Sequence, residues 1–260
     1  MLVVPDNTTE NKIPSVEGMM VYRKDNNKVY VQGDKKMNAL AEEKKILKIL
    51  DKDIAKLESK FDSFNQTLNS KIRLMLSRDI SASTVLKGQP GSYLKQLKQW
   101  FSFNKLTCCW RTSLDGWDSR VFHTRCDNRG KTITLVKVGN YIFGGYSTYQ
   151  WGGSNGAWRS SSSNYIFSLR NKDNLSPFRS AVYRNTHLAI YTNPTYGPTF
   201  GGGHDLYIAR NANKNRNSYT HFGNTYRPPS GYSYGNSNTQ ALLAGSYHFT
   251  PTEVEVYYYV

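Results

Sequence analysis

The chain is 260 residues long, 38% hydrophobic and 13% aromatic, with 19 tyrosines and a formal charge of +15; this Tyr- and Gly-rich composition suits β-sheet with tight turns. No apolar run approaches the roughly 20 residues of a membrane-spanning helix, so no membrane span is expected. Residues 1–105 hold 19 of the 34 Lys and Arg and 12 of the 19 Asp and Glu, and the remaining excess is scattered from Arg111 to Arg227, so the charge reads as a solvated basic surface and nucleic-acid binding is not expected.

Residues 1–36 form an N-terminal segment. Met1–Glu10 has neither a basic start nor a sustained apolar run, so no signal peptide is visible. Met19–Tyr22 and Val29–Val31 flank the polar turn Lys24–Lys28 and predict a β-hairpin. An isolated hairpin is unstable in water, so it must pack on something. Its run I-P-S-V-E-G-M-M-V-Y, followed by K-V-Y-V and M-N-A-L, resembles the small trimerisation modules that follow collagen helices in some extracellular proteins; the tryptophan expected near Met37 is missing.

Residues 37–82 predict a long helix. Leu40, Leu47, Leu50, Ile54, Leu57, Phe61, Phe64, Leu68 and Met75 recur mostly at alternating intervals of 3 and 4, interrupted at Glu43 and Lys71. That is the seam of a coiled coil. Burying each seam residue would stabilise by about 1.5–3 kcal/mol, so a homo-oligomer is expected, against the alternative of a helix lying on its own globular domain. Phe61 and Phe64 are bulky for a dimer seam and favour three strands or more.

Residues 83–260 change character. Ser77–Ser92, with Gly88-Gln89-Pro90-Gly91, reads as a linker. Tyr93–Phe103 places Leu94, Leu97, Trp100 and Phe101 on one helical face, with Ser92 as N-cap. Asp118–Cys126 predicts a second short helix with Val121 and Phe122 facing inward. Thr132–Val138 and Tyr141–Tyr149 alternate around Gly139-Asn140, a hairpin turn. Further strands are expected at Asn164–Leu169, His187–Thr192, Asp205–Ala209, Leu242–Tyr247 and Val254–Tyr259. The fold class is therefore mainly β, a two-sheet antiparallel sandwich with short flanking helices, preceded by a hairpin and a long coiled-coil helix. Thr250-Pro251-Thr252-Glu253 has the form of a capping box and predicts a helical turn. Gly152–Ser163 and Asn211–Asn238 are polar and expected to be exposed loops.

The run W-R-T-S-L-D-G-W-D-S-R-V-F-H-T-R-C-D (110–127) resembles the start of a TLDc domain, the module of the eukaryotic oxidation-resistance proteins. So do T-I-T-L-V-K-V-G-N-Y-I-F-G-G-Y (132–146), Y-I-F-S-L (165–169), G-P-T-F-G-G-G-H-D-L-Y-I (197–208) and L-A-G-S-Y-H-F-T-P-T-E-V-E-V (243–256). The blocks run in order across residues 83–260. The signature residues they supply are Gly144, Gly145, Gly197, Pro198, Phe200, Gly201, Gly202, Gly203, Asp205, Gly245 and Glu253. The resemblance implies a two-sheet sandwich without an established catalytic residue set. It also implies that relatives protect against oxidative stress, and that some bind the vacuolar-type proton ATPase.

The sites weighed along the chain are few. His204-Asp205 after three glycines could be a dyad or, through the Gly201–Gly203 amides, an anion nest. Adjacent strand residues point to opposite faces, so a glycine neck for close sheet packing is the preferred reading. The five histidines lack zinc-ligand spacing, and Asp115 and Asp118 beside Gly116 read as a solvated turn rather than a calcium site. No metal and no cofactor are expected, nor is a catalytic residue. Cys108 or Cys109 could bridge to Cys126 in an oxidising compartment, while in the cytosol Cys126, near Arg125 and Arg129, could be a reactive thiolate. Sequons at Asn7, Asn65 and Asn174 lean towards the extracellular side, with the cytoplasm as the alternative. The expected function is a non-catalytic protein-interaction module on an oligomerising coiled coil, its protein partner unidentified. The alternative is an oxidative-stress-protective protein that uses a reactive cysteine or binds the proton ATPase.

Overall fold

The computed structural model describes residues 1–14, 16–33, 36–153 and 155–260, with side chains outside 32–48 and 74–76. The chain divides into two compact units, Met1–Arg73 and Leu74–Val260.

In the first unit, β1 (Leu2–Val4) and a short helix α1 (Asn7–Glu10), capped by Asp6, precede the expected hairpin β2 (Met20–Arg23) and β3 (Lys28–Gly33). A further strand, β4 (Lys36–Glu42), follows and gives the sheet order β1-β2-β3-β4. The helix expected from Met37 therefore begins only at Glu43, because residues 36–42 pair antiparallel with β3 and occupy its open backbone edge. Helix α2 then runs Glu43–Leu76. Leu47 lies on it with its side chain outside the described residues. The other seam positions, Leu50, Ile54, Leu57, Phe61, Phe64 and Leu68, are 43–65% exposed.

The second unit contains α3 (Gly91–Phe101), β5 (Leu106–Arg111), α4 (Thr112–Asp115), α5 (Ser119–Cys126), β6 (Thr132–Val138), β7 (Tyr141–Ser147), β8 (Ala157–Arg159), β9 (Tyr165–Arg170) and β10 (Phe178–Ala181). It continues through β11 (Ile190–Thr192), β12 (Thr199–Phe200), β13 (Leu206–Tyr207), β14 (Ser218–Tyr219), α6 (Ser237–Ala241), β15 (His248–Phe249) and β16 (Glu253–Tyr259). Two antiparallel sheets result, ordered β10-β9-β7-β6-β16-β5 and β15-β14-β13-β12-β11-β8.

The first sheet is buried on both faces: β6 buries Thr132 and Thr134 as well as Ile133, Leu135 and Val136. Val136, Phe143, Ile166, Val254 and Val256 join Phe200, Leu206 and Phe249 of the second sheet in one core cluster. Ile133, Leu135, Ile142, Phe167 and Tyr257 join Leu97 and Phe101 of α3 in another. The layers are therefore α3, first sheet and second sheet.

Four local expectations need correction. Ser77–Ser92 is not a bare linker: Ile80–Ala82 is a 3-10 helix, and Ile80, Ser83 and Val85 are buried. Ser92 does not cap α3, which starts one residue earlier, after Pro90. Leu242–Tyr247 is not a strand; Leu242 and Leu243 follow α6 and plug the core, and Gly245, at φ +83°, turns the chain away. Thr250–Glu253 forms no helical turn, because Glu253 opens β16 with its carboxylate turned inward. The two polar segments also do more than expected. Gly152–Ser163 supplies β8, and Asn211–Asn238 contains the fully buried Thr220, Phe222, Thr225 and Tyr226.

Candidate functional site

The glycine run Gly201–Gly203 is a tight turn joining β12 to β13, with Gly201 at φ +82° and Gly203 at φ +70°. It folds over Asp205, whose carboxylate is fully buried. The backbone N–H groups of Gly223, Thr225 and Tyr226 donate to Asp205 Oδ1 at 3.1, 3.0 and 3.0 Å. Burial pushes the Asp205 pKa up to about 7, against the downward pull of those N–H donors. A Cβ on Gly201 would stand 2.2 Å from Asp205 Oδ2. The neck expected at the glycines thus grips a neighbouring loop through Asp205. Gly201 N–H donates to the Ala189 carbonyl and Gly202 N–H to Thr225 Oγ1, so two of the three amides of the anion-nest alternative are already engaged.

The other signature glycines have equally local reasons. A Cβ on Gly144 would lie 1.8 Å from the Thr134 carbonyl oxygen, and one on Gly145 would lie 2.4 Å from the Phe200 ring. One on Gly197 would lie 2.8 Å from the Ile208 carbonyl oxygen, and Gly245 abuts the Tyr141 ring. Pro198 accepts the Ile208 N–H, extending the same turn.

A second buried polar centre was not legible in the sequence. Glu253 and Glu255 sit on one face of β16. Glu255 pairs with Arg111 at 2.7 Å, both side chains fully buried, and accepts from Thr84 N and Tyr257 Oη. Glu253 accepts from Thr112 Oγ1, Ser113 N and Thr84 Oγ1. These bonds tie the 3-10 segment and α4 to β16, so both carboxylates are spent on structure.

Cys109 on β5 and Cys126 at the end of α5 form a disulfide, with Cα atoms 5.3 Å apart. The reactive thiolate envisaged at Cys126 is therefore absent: its sulfur is bridged and buried. Cys108 is free but buried on the other face of β5, and burial pushes its thiol up to about 12, with the Glu255 charge adding. Asp115 is held by Arg78 at 2.6 Å and Arg125 at 3.2 Å, Asp118 by Arg120 at 2.6 Å and Arg210 at 3.1 Å. Arginines occupy the positions considered for calcium. His123 bonds to Asp127 and the Tyr196 carbonyl oxygen; burial opposes its charge, but Asp127 wins and raises its pKa. Among the described residues no group of three His, Cys, Asp or Glu could hold a metal.

What the structure assembles instead is a row of rings on the outer face of the second sheet. On β11, β13 and β14 the inward positions are apolar or small and the outward ones are Tyr191, Tyr207 and Tyr219; on β8 Trp158 is the outward residue, between Ala157 and Arg159. His204, in the left-handed region at φ +62°, fills the place where β12 brings no ring. Its imidazole lies 5.6 Å from each of Trp158, Tyr191 and Tyr207, and 6.0 Å from Tyr196. Tyr207 continues to Tyr219 at 5.3 Å and Tyr219 to Tyr247 at 5.4 Å. Burial among these rings lowers the His204 pKa. The sequence reading set His204 beside Asp205 and the glycines and not beside these rings; the readable signal was that the tyrosines of the short strands alternate with core residues.

Among the described residues no helix is long and apolar enough to cross a membrane. No curated protein matches the chain. A family model described as TLDc domain matches residues 81–260, more than half of the chain and the whole of the two-sheet sandwich, and the chain accordingly belongs to the TLDc domain family.

Proposed function

We propose that this chain is a non-catalytic protein-interaction module displayed on an oligomerising coiled coil. The observation that carries the reading is a division of labour. The buried carboxylates, the cystine and the glycine turn all hold the fold, whereas the outer face of the second sheet offers Trp158, Tyr191, Tyr196, His204, Tyr207 and Tyr219. Rings with a polar tip and few rotatable bonds are what protein interfaces use as anchors. The exposed apolar positions of α2 support the oligomer, and several copies of one face raise avidity without any new contact. The cystine supports an oxidising, extracellular-type compartment.

Equilibrium sedimentation and a quantitative retention assay with the full chain test the two halves together. The expected result is a multiple of the single-chain mass, and a bound protein whose retention falls about tenfold on Trp158→Ser with Tyr191→Ser. A single-chain mass at tens of micromolar would remove the stalk. Retention unchanged by the double variant would remove the ring face.

A further inference from the structure

A second surface of the sandwich has a different chemistry. Between Tyr183-Arg184 and residues 227–234 lies a cleft of about 610 Å³, walled by Pro228, Pro229, Tyr232 and Tyr234. Two guanidinium groups stand against one ring there. The Arg184 and Arg227 guanidinium carbons lie 5.0 and 5.2 Å from the Tyr183 centroid, and Arg184 lies 5.3 Å from that of Tyr234. Among the described residues no carboxylate is within ion-pair distance of either arginine. The nearby Asp173 accepts from Tyr232 Oη and pairs with Lys172.

The site is also preorganised. Arg184 donates through Nε to the Asn224 carbonyl oxygen and through one Nη to that of Gly223, and Tyr183 Oη donates to Gly223 as well. The carbonyls that hold these side chains belong to the loop whose N–H groups clamp the buried Asp205. The rest of each fork remains for a ligand. A guanidinium presents parallel N–H donors that match phosphate and carboxylate oxygens. Two of them on one ring, with no acid between, suit a group carrying about two negative charges. A phosphate monoester has that charge at pH 7. The cleft is much larger than a phosphate and lies in the range of pockets that hold a whole small ligand, so tyrosine and proline walls are left for the carrier.

We propose that this cleft binds a phosphate monoester on an aromatic or apolar carrier, gripped by Arg184 and Arg227. The reading is independent of the coiled coil: a cleft that binds nothing leaves the oligomer mass unchanged.

Titration calorimetry on the full chain at pH 7.5 and low salt, with phenyl phosphate as probe, tests it. Phenyl phosphate should bind, and phenol should not. Arg227→Gln, which removes a side chain that makes no hydrogen bond among the described residues, should weaken binding about tenfold, the worth of one charge-assisted contact. Lys214→Gln, at an exposed lysine outside the cleft, should leave it unchanged. No binding, equal binding of phenol, or equal losses in the two variants would overturn the proposal. A phosphotyrosine tetrapeptide separates the sources of the ester: tighter binding than phenyl phosphate supports a peptide carrier, and equal binding supports a small ester.

Discussion

Asp205 is where burial and hydrogen bonding pull hardest against each other. Its folded pKa, about 7, stands above the ordinary carboxylate value of 3.8. Its contribution to stability is therefore fully present below 3.8 and lost as the pH rises through 7. Each pH unit crossed in that window shifts stability by about 1.4 kcal/mol. Asp205→Asn keeps a carbonyl oxygen for the three N–H donors and cannot ionise, so its urea midpoint should lack this slope between pH 4.5 and 7.5. Parallel slopes for the two proteins would contradict the assignment. The glycines of β7 make a second residue-scale prediction. Gly144→Ala drives a Cβ into the Thr134 carbonyl, part of the sheet backbone, whereas Gly145→Ala meets the Phe200 ring, a side chain. Overpacking of this kind costs about 1–3 kcal/mol or more. Gly144→Ala should therefore be the worse of the two, and Gly145→Ala should recover in part when combined with Phe200→Leu, as a double-mutant cycle on thermal unfolding would reveal.

Between elements, the Cys109–Cys126 bridge closes a separation of 17 residues across β5, α4 and α5. A loop of that length predicts a loss of about 3 kcal/mol when the bridge is removed. Cys126→Ser and reductant should lower the urea midpoint alike, and a midpoint indifferent to both would show that the short helices hold themselves. How much of this architecture could be read in the chain depends on what each element rests on. β6 and β7 were legible because apolar alternation and Gly139-Asn140 are local signals. Asp118 was legible as a cap because its partner N–H is two residues away. Several of the failures involve distant partners. Thr250–Glu253 has the residues of a capping box, but Glu253 reaches Thr112 and Ser113 across the sheet, and that tertiary bond outcompetes one helical turn. Leu242 and Leu243 read as strand because two adjacent core residues carry no period. Asp205 was legible only as part of a glycine run, since its loop arrives 18 to 21 residues later in the chain. The ring face was legible residue by residue but not as a row, because cross-strand register decides which tyrosines meet.

For the whole molecule the deciding quantity is the apolar surface that α2 leaves in water. The helix is 34 residues long, about 50 Å at the usual rise, and its mid-portion exposes Leu50, Ile54, Leu57, Phe61, Phe64 and Leu68. Even half-burial of each against a second copy stabilises by about 1 kcal/mol per residue per chain, a sum able to offset the entropy of association. In the proposed coiled coil the bulk of Phe61 and Phe64 would favour three or more copies over two. Ile54→Asp with Leu57→Asp should place charges in that seam and reduce the sedimenting mass to that of one chain, while the near-ultraviolet signal of the sandwich stays intact. Salt separates this mechanism from association through the basic surface. An apolar seam persists, or tightens, between 0.1 and about 0.5 M salt, whereas contacts between charged surfaces are screened away over that range. A mass that falls with salt in the unaltered protein would move the assembly off the helix and onto the scattered lysines and arginines.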